Sequence, residues 1–201
     1  DHIDSIGGEA LFDMVEGMNS ENFMTMGSDS AFGMFETMGD DRVLDMDGDT
    51  KAGMFDAMGA DHIDSIGGEA LFDMVEGMSG ENFMTMGSDS AFGMFETMGD
   101  DRVMDMDGDT MSGMFGAMGH EHIAGMAGDT TFGAFETLGT EGFKDMGGDS
   151  MAGMFESMGV DHIDSIGGEA LFDMVEGMSG QNFMTMGSDS AFGMYETMGS
   201  G

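Results

Sequence analysis

The sequence predicts an all-α chain, a solenoid of ten tandem helix-turn-helix repeats of twenty residues each. Three observations predict it: a strict period, apolar residues recurring at helical spacing, and glycine and acidic residues bounding every segment. The 201 residues can be written as ten lines of twenty with no insertion, plus Gly201. Self-similarity at such a fixed period marks stacked repeat architectures. Residues 61–78 copy 1–18, residues 81–100 copy 21–40, and 161–178 copy 1–18 again. Three kinds of line therefore run in the order first, second, third, twice over; two divergent lines and then a first and a second kind follow. Residues 1–201 are expected to form one array.

With positions numbered 1 to 20 within a line, position 3 is always apolar, from Ile3 and Phe23 to Ile163 and Phe183, and position 6 is always Ile or Met. Position 14 is Met except at Ala134, position 15 is Val, Phe or Tyr, and position 18 is Met except at Leu138. Positions 11, 14, 15 and 18 have the i, i+3, i+4, i+7 spacing of one helix face, and 3 and 6 lie one helical step apart. Position 11 varies most and includes Lys51 and Thr131. A short helix and a longer one of about ten residues are thus expected in each line, with positions 3, 6, 14, 15 and 18 buried.

The segment boundaries agree. The longer segment opens on small polar and acidic residues, as in Gly27-Ser28-Asp29-Ser30, which can accept bonds from free amide groups. It closes on a glycine such as Gly39, suited to a left-handed cap. The short segment opens on an acid, as in Asp40-Asp41-Arg42-Val43, and Gly7-Gly8 or its equivalent stops it. Isolated helices below roughly 12–15 residues are marginal in water. One line cannot bury its own Met and Phe side chains, so stacking must supply the core. The competing fold is a β-solenoid, whose coils also close in about twenty residues. Against it stand few Val, Ile and Thr residues and no alternation of apolar and polar positions.

Charge removes several function classes. With 41 acidic and 4 basic side chains, the net charge is −37. Such a chain cannot neutralise a row of phosphates and is repelled by an anionic membrane, so neither nucleic acid nor acidic lipid is a direct partner. The absence of cysteine excludes disulfides, thiolate metal sites and thiol nucleophiles. No apolar run approaches the roughly 20 residues that span a bilayer. With Asp1 rather than Met first, a processed protein or a segment of a longer one is expected. No Ser/His/Asp set, phosphate loop or nucleophile elbow occurs, and any constellation would recur in several copies, so neither an enzyme nor a small-molecule substrate is expected.

Position 9 is acidic in all ten lines, and position 1 in all but Gln181. An acid in the first turn of a helix stabilises its dipole and its free amides. Stacking would also align these acids in rows that ask for counter-ions, a cation ladder whose repulsion acidification should relieve. Two stretches crowd three carboxylates into five residues: Asp45, Asp47 and Asp49, and Asp105, Asp107 and Asp109. They resemble the opening of an EF-hand loop, but the glycine falls at the fourth place rather than the sixth, and the twelfth place is Asp56 or Gly116. They are therefore candidate exposed calcium (Ca2+) sites and not EF-hands. The 31 methionines, with His2, His62, His120, His122 and His162, offer soft ligands for copper(I) or silver(I), although Met at positions 6, 14 and 18 reads first as core.

The expected function is structural: an acidic, repetitive rod or fibre segment, a spacer or self-assembling scaffold, outside the cell or on its surface. Its partners would be copies of itself or another structural protein. Terminal lines without polar caps predict association through the chain ends, and Gln181 and Ser200, where line 5 has Glu81 and Asp100, soften the last line's charge. A metal-binding or mineral-associated protein is the alternative.

Overall fold

The computed structural model describes residues 3–199. Asp1, His2, Ser200 and Gly201, which carried part of the expectations above, lie outside the described residues. The described chain is helical throughout and contains no strand, so the β alternative drops out. It divides into two compact units, residues 1–110 and 111–201.

In the first unit, long and short helices alternate. The long ones are Gly8–Val15, Ser28–Met38, Gly48–Met58, Gly68–Val75 and Ser88–Met98. The short ones are a 3-10 turn at Ile3–Ser5 and helices Ser20–Met24, Asp40–Leu44, Ala60–Asp64, Gly80–Met84 and Asp100–Met104. Lines of the first kind have long helices of only eight residues, which leaves Met18 and Met78 in the turn beyond Val15 and Val75. The second unit contains Gly128–Asp145 and Gly148–Ile166, each a long and a short segment joined at a kink, then Gly168–Val175, Gly180–Thr185 and Ser188–Gly199.

Where position 19 is glycine it makes the joint, whereas Asn19, Ser79 and Ser179 stand there in three lines as N-caps of the next helix. Gly39 has φ 79° and ψ 159°, and Gly59, Gly99, Gly119, Gly139 and Gly159 also have positive φ. The expected positive φ is present, but ψ near 160° is extended rather than left-handed helical. The chain can therefore start a new helix at once in a new direction, and only glycine tolerates this backbone readily.

The core follows the apolar pattern. Position 3 is fully buried from Phe23 to Ile163, position 14 from Met34 to Met194, and position 18 at Met38, Met58, Met78, Met98, Met118 and Met158. Each buried Met, Phe, Leu or Ile stabilises by roughly 1.5–3 kcal/mol, a gain that depends on a neighbouring line to cover it. Position 6 is less uniform: Met46, Met86, Met106, Met146 and Met186 are buried, whereas Ile6 is exposed. Position 11, the least uniform chemically, is buried at Leu11, Ala31, Lys51, Leu71, Ala91, Met111, Thr131, Met151 and Leu171. Its location is fixed by helix geometry, and its chemistry adapts to whatever lies opposite.

Position 13 sets how closely helices approach. A Cβ on Gly53 would collide with the Ser20 backbone, one on Gly93 would lie 2.7 Å from the Ala60 Cβ, and one on Gly153 would lie 2.9 Å from the His120 carbonyl oxygen. In each case the long helix rests directly on the first turn of the preceding line's short helix. Nothing lies within 4 Å of the same point at Gly33. Gly53→Ala should therefore destabilise by about 1–3 kcal/mol through overpacking. Gly33→Ala, in an open helical position, should stabilise by about 0.5–1 kcal/mol. Urea unfolding of the two variants checks this, and equal effects would disprove it.

Candidate functional site

The six candidate aspartates fall into three roles set by helix geometry. Asp45 and Asp105 follow the last residues of short helices, at their C-caps. Asp47 is the N-cap of Gly48–Met58: its carboxylate accepts from the Thr50 amide at 2.9 Å and lies 2.7 Å from Thr50 Oγ1. Asp107 accepts from the Asp109 and Thr110 amides, both at 3.0 Å, and from Thr110 Oγ1 at 2.7 Å. The threonine hydroxyls are shared, since Thr50 Oγ1 also lies 2.9 Å from the Met18 carbonyl oxygen and Thr110 Oγ1 2.7 Å from that of Met78. Each cap is thereby tied to a line two places back.

Asp49 and Asp109 turn away from their own helix. Asp49 Oδ2 accepts from the Ser20 amide at 3.3 Å, and Asp109 Oδ2 from the Gly80 amide at 2.9 Å. In the second unit Asp149 Oδ2 does the same for the His120 amide at 3.1 Å. The recurrent acid at position 9 thus sits in the first turn of its own helix, as expected for the dipole, while the amide it satisfies opens the short helix of the preceding line. Where position 9 is Asp29 or Asp129, it meets a histidine instead: His62 Nε2 at 3.4 Å and His162 Nε2 at 3.2 Å. At these lines the acids face amides or imidazoles rather than a continuous row of like charges.

The scarce cations are also placed by the repeat, a pattern that a search for acidic motifs overlooks. Of the nine Lys, Arg and His side chains, six stand at position 2: His2, Arg42, His62, Arg102, His122 and His162. Arg42 Nη1 donates to the Met38 carbonyl at 2.9 Å and Arg102 Nη1 to that of Met98 at 3.0 Å. His62 Nδ1 and His162 Nδ1 lie 3.0 and 2.8 Å from the Met58 and Met158 carbonyl oxygens, which can only accept, so Nδ1 carries a proton. These carbonyls end long helices, where the dipole is negative and donors are wanted. The His62 ring also lies tilted against Phe32 and the His162 ring stacks on Phe132, with centroids 4.6 and 4.7 Å apart. Glycine at position 8 lets the backbones approach: a Cβ on Gly8 or Gly68 would collide with the Thr37 or Thr97 carbonyl oxygen, 2.6 or 2.5 Å away, and would lie 3.2 Å from the Arg42 or Arg102 guanidinium. Recurrence at position 2 and glycine at position 8 were the legible signals.

Lys51 is the buried cation of the first unit. It lies at a core position, 8% exposed, with Nζ donating to the Leu44 carbonyl at 2.9 Å. Burial pushes its pKa down, and attraction to Asp45 and Asp47 works against that shift. The chain thus supplies its own cation beside two of the three carboxylates in this stretch. The equivalent residue of the second stretch is Met111. Of the other soft-ligand candidates, His120 Nε2 lies 2.8 Å from Glu156 Oε2, and His122 is near the end of Gly108–Ala124. Among the described residues, no three His, Asp or Glu side chains gather as a metal-binding group. Compared with known proteins, the chain matches no protein-family model, no curated protein and no solved structure.

Acid pH acts on the caps with a definite sign. Burial works to raise Asp47, but hydrogen bonds from Thr50 and Asp49 outweigh it and hold the carboxyl below its ordinary 3.8. The Thr50 counterpart Thr110, through hydroxyl and amide, holds Asp107 down in the same way, against a smaller effect of burial. A carboxyl depressed on folding contributes stability above its unfolded value and loses it as pH falls through the folded one. At these two residues acidification destabilises, opposite to the relief expected from carboxylate rows. The double variant Asp47→Asn, Asp107→Asn should lose less melting temperature than the parent between mildly and strongly acid pH. Equal losses would show that the caps do not carry the acid sensitivity.

Lys51 gives a second test. Lys51→Met restores the residue found at position 111 and should be neutral or stabilising by about 1 kcal/mol, as for buried ions replaced by hydrophobes of similar volume. Lys51→Ala should cost about 2 kcal/mol or more through the void it leaves. Chemical unfolding of both variants decides it; a large loss in Lys51→Met would mean that the ammonium itself holds the line.

Proposed function

We propose that this chain is a structural spacer or self-assembling scaffold, an acidic helical solenoid that sets a distance or assembles into a larger structure. Its partners are copies of itself or another structural protein, and its setting is outside the cell or at its surface. One observation carries this reading: polar side chains recur in the same line-to-line bonds. The position 9 carboxylate joins an amide 29 residues away at Asp49, Asp109 and Asp149. The position 10 threonine joins a carbonyl 32 residues away at Thr50 and Thr110. A protein built around one defined ligand gathers distinct residues in one place, whereas here the recurrent polar residues are used to register one line on the next. Stability is then a sum over lines and their junctions, which lets length vary without redesign.

The net charge of −37 supports an ion-rich setting. Charges farther apart than about 8 Å are largely screened at physiological salt. Calcium fits this reading as a counter-ion to exposed carboxylates.

The test is removal of residues 41–100, a block of one third, one first and one second line. Lines 1 and 2 then take the places of lines 4 and 5, which they copy almost completely. A spacer should remain helical, melt close to the parent and shorten in X-ray scattering in proportion to the residues removed. Loss of folding, or an unchanged long dimension, would reject the reading.

A further inference from the structure

We infer that His62 and His162 are proton-operated junctions: at mildly acid pH each ring takes a second proton, on Nε2, and ties the end of one long helix to a carboxylate two lines back. The inference stands apart from the scaffold reading and holds whatever the array supports. Each ring is held on three sides. Met58 is the last residue of Gly48–Met58, and after the turn at Gly59 the His62 Nδ1 reaches back to the Met58 carbonyl at 3.0 Å. Asp29 and Phe32 stand three residues apart, on one face of Ser28–Met38. The Asp29 carboxylate meets Nε2 at 3.4 Å, and the Phe32 ring lies against the imidazole with centroids 4.6 Å apart. The second unit repeats this around His162, with the Met158 carbonyl at 2.8 Å, Asp129 at 3.2 Å and the Phe132 ring at 4.7 Å. Asp129 and Met158 belong to the two divergent lines, so the recurrence is not a by-product of copying.

Both nitrogens of each ring face atoms that only accept. A backbone carbonyl has no proton to give, and neither has an ionised carboxylate. A neutral imidazole has one N–H, which the carbonyl takes, so its other nitrogen points a lone pair at Asp29 or Asp129. Only the imidazolium donates to both partners. One proton taken from solvent by the Nε2 lone pair therefore turns an unfavourable contact into a charge-assisted hydrogen bond. Solvent has access to that edge, because the Asp29 and Asp129 side chains are each 98% exposed, whereas those of His62 and His162 are 25% and 28% exposed. An exposed ion pair alone adds little. Here the same positive charge also meets the negative end of a long helix and the face of a phenylalanine.

The surrounding charges act in the same direction. The helices against His62 bring Asp29 and Glu36 from Ser28–Met38, Asp49 and Asp56 from Gly48–Met58, and Asp89 and Glu96 from Ser88–Met98. Its own helix adds Asp61 and Asp64, and the nearby cation Lys51 is committed to the Leu44 carbonyl. Around His162, Gly128–Asp145 brings Asp129, Glu136, Glu141 and Asp145, with Lys144 held 3.8 Å from Glu141. Gly168–Val175 brings Glu169 and Asp173, Ser188–Gly199 brings Asp189 and Glu196, and Gly180–Thr185 carries no charge. Its own helix carries Asp149, Glu156, Asp161 and Asp164, and His120, packed on that helix, is engaged by Glu156. Lines of the third kind show what this register position accepts: Arg42 and Arg102 make the same bond to the Met38 and Met98 carbonyls with a group charged at every pH. Position 2 thus carries a permanent cation in one kind of line and a pH-dependent one in another.

Nitrogen-15 NMR of the histidine rings, about one pH unit above and one below the free-histidine value of about 6.5, reads the proton positions. At the higher pH His62 and His162 should be neutral with the proton on Nδ1, and at the lower pH both nitrogens should carry one. Thermal melting at the same two pH values reads the effect on stability. The bridging proton is bound only in the folded state, so it stabilises as pH falls through the histidine range and is lost as pH rises. The parent should therefore gain a few degrees relative to the double variant His62→Gln, His162→Gln, whose amides cannot take the charge; the effects of the remaining carboxylates are common to both and cancel. The double variant Asp29→Asn, Asp129→Asn alters only exposed side chains and should lose the gain too, since an asparagine amide donates to a neutral Nε2. Equal shifts in the parent and both variants, or a neutral ring with its proton on Nε2, would overturn the junction.

Discussion

A helix of five residues cannot hold its own first turn in water, and lines 2 to 6 each contain one. Its first amides have no partner within the helix: side chains at the cap take some of them, as Asn19 and Ser79 do for the Asn22 and Asn82 amides, and in three lines the opening amide is met by a carboxylate from another line. Asp49, Asp109 and Asp149 come from the next line to meet Ser20, Gly80 and His120. Where this bond forms, the long helix lies directly against the opening of the short helix, an approach that glycine at position 13 permits at Gly53 and Gly153. Close approach in turn seals the apolar positions, where Met and Phe are fully buried. Capping, packing and core formation are one event repeated along the chain.

The helices and most of the core were legible because their signal lies within one line. Spacing at 3, 6, 14, 15 and 18 is a property of a single helix, and burial followed it. What could not be read from one line was through-space pairing. The acid at position 9 was visible as a cap, but its amide partner belongs to another line and was invisible in any local window. The three aspartates of each stretch are close in sequence, but their partners could not be read from that spacing. A helix cap, a helix end and a reach to a neighbour send the three side chains to different tasks. Position 11 was obscured by its variable chemistry, although helix geometry buries Lys51 and Thr131 as it buries Leu71.

The charge balance looks different once pairing is known. A count of 41 acids against 4 bases suggests a molecule under strong internal repulsion. The few cations are concentrated where they do most: Arg42, Arg102, His62 and His162 at the carbonyl ends of long helices, and Lys51 under the carboxylates of its own line. Several acids are held by amides instead of cations. Protonation therefore has two opposing effects, relieving long-range repulsion while releasing the caps at Asp47 and Asp107.

The core's reliance on methionine has a consequence of another kind. Most thioethers are enclosed, at Met54, Met94, Met114, Met154 and their equivalents, whereas Met14, Met24, Met84 and Met184 face solvent. Oxidation converts a flexible apolar side chain into a polar sulfoxide, at a rate that follows access. The exposed sulfurs are therefore consumed first, by a reaction that costs the fold little, and they shield the rest chemically. Once an enclosed sulfur is reached, an S=O group without a donor stands in a position shared by neighbouring lines, and damage spreads along the array rather than remaining local. The same regularity that lets each line stabilise the next gives an oxidant a path through the molecule.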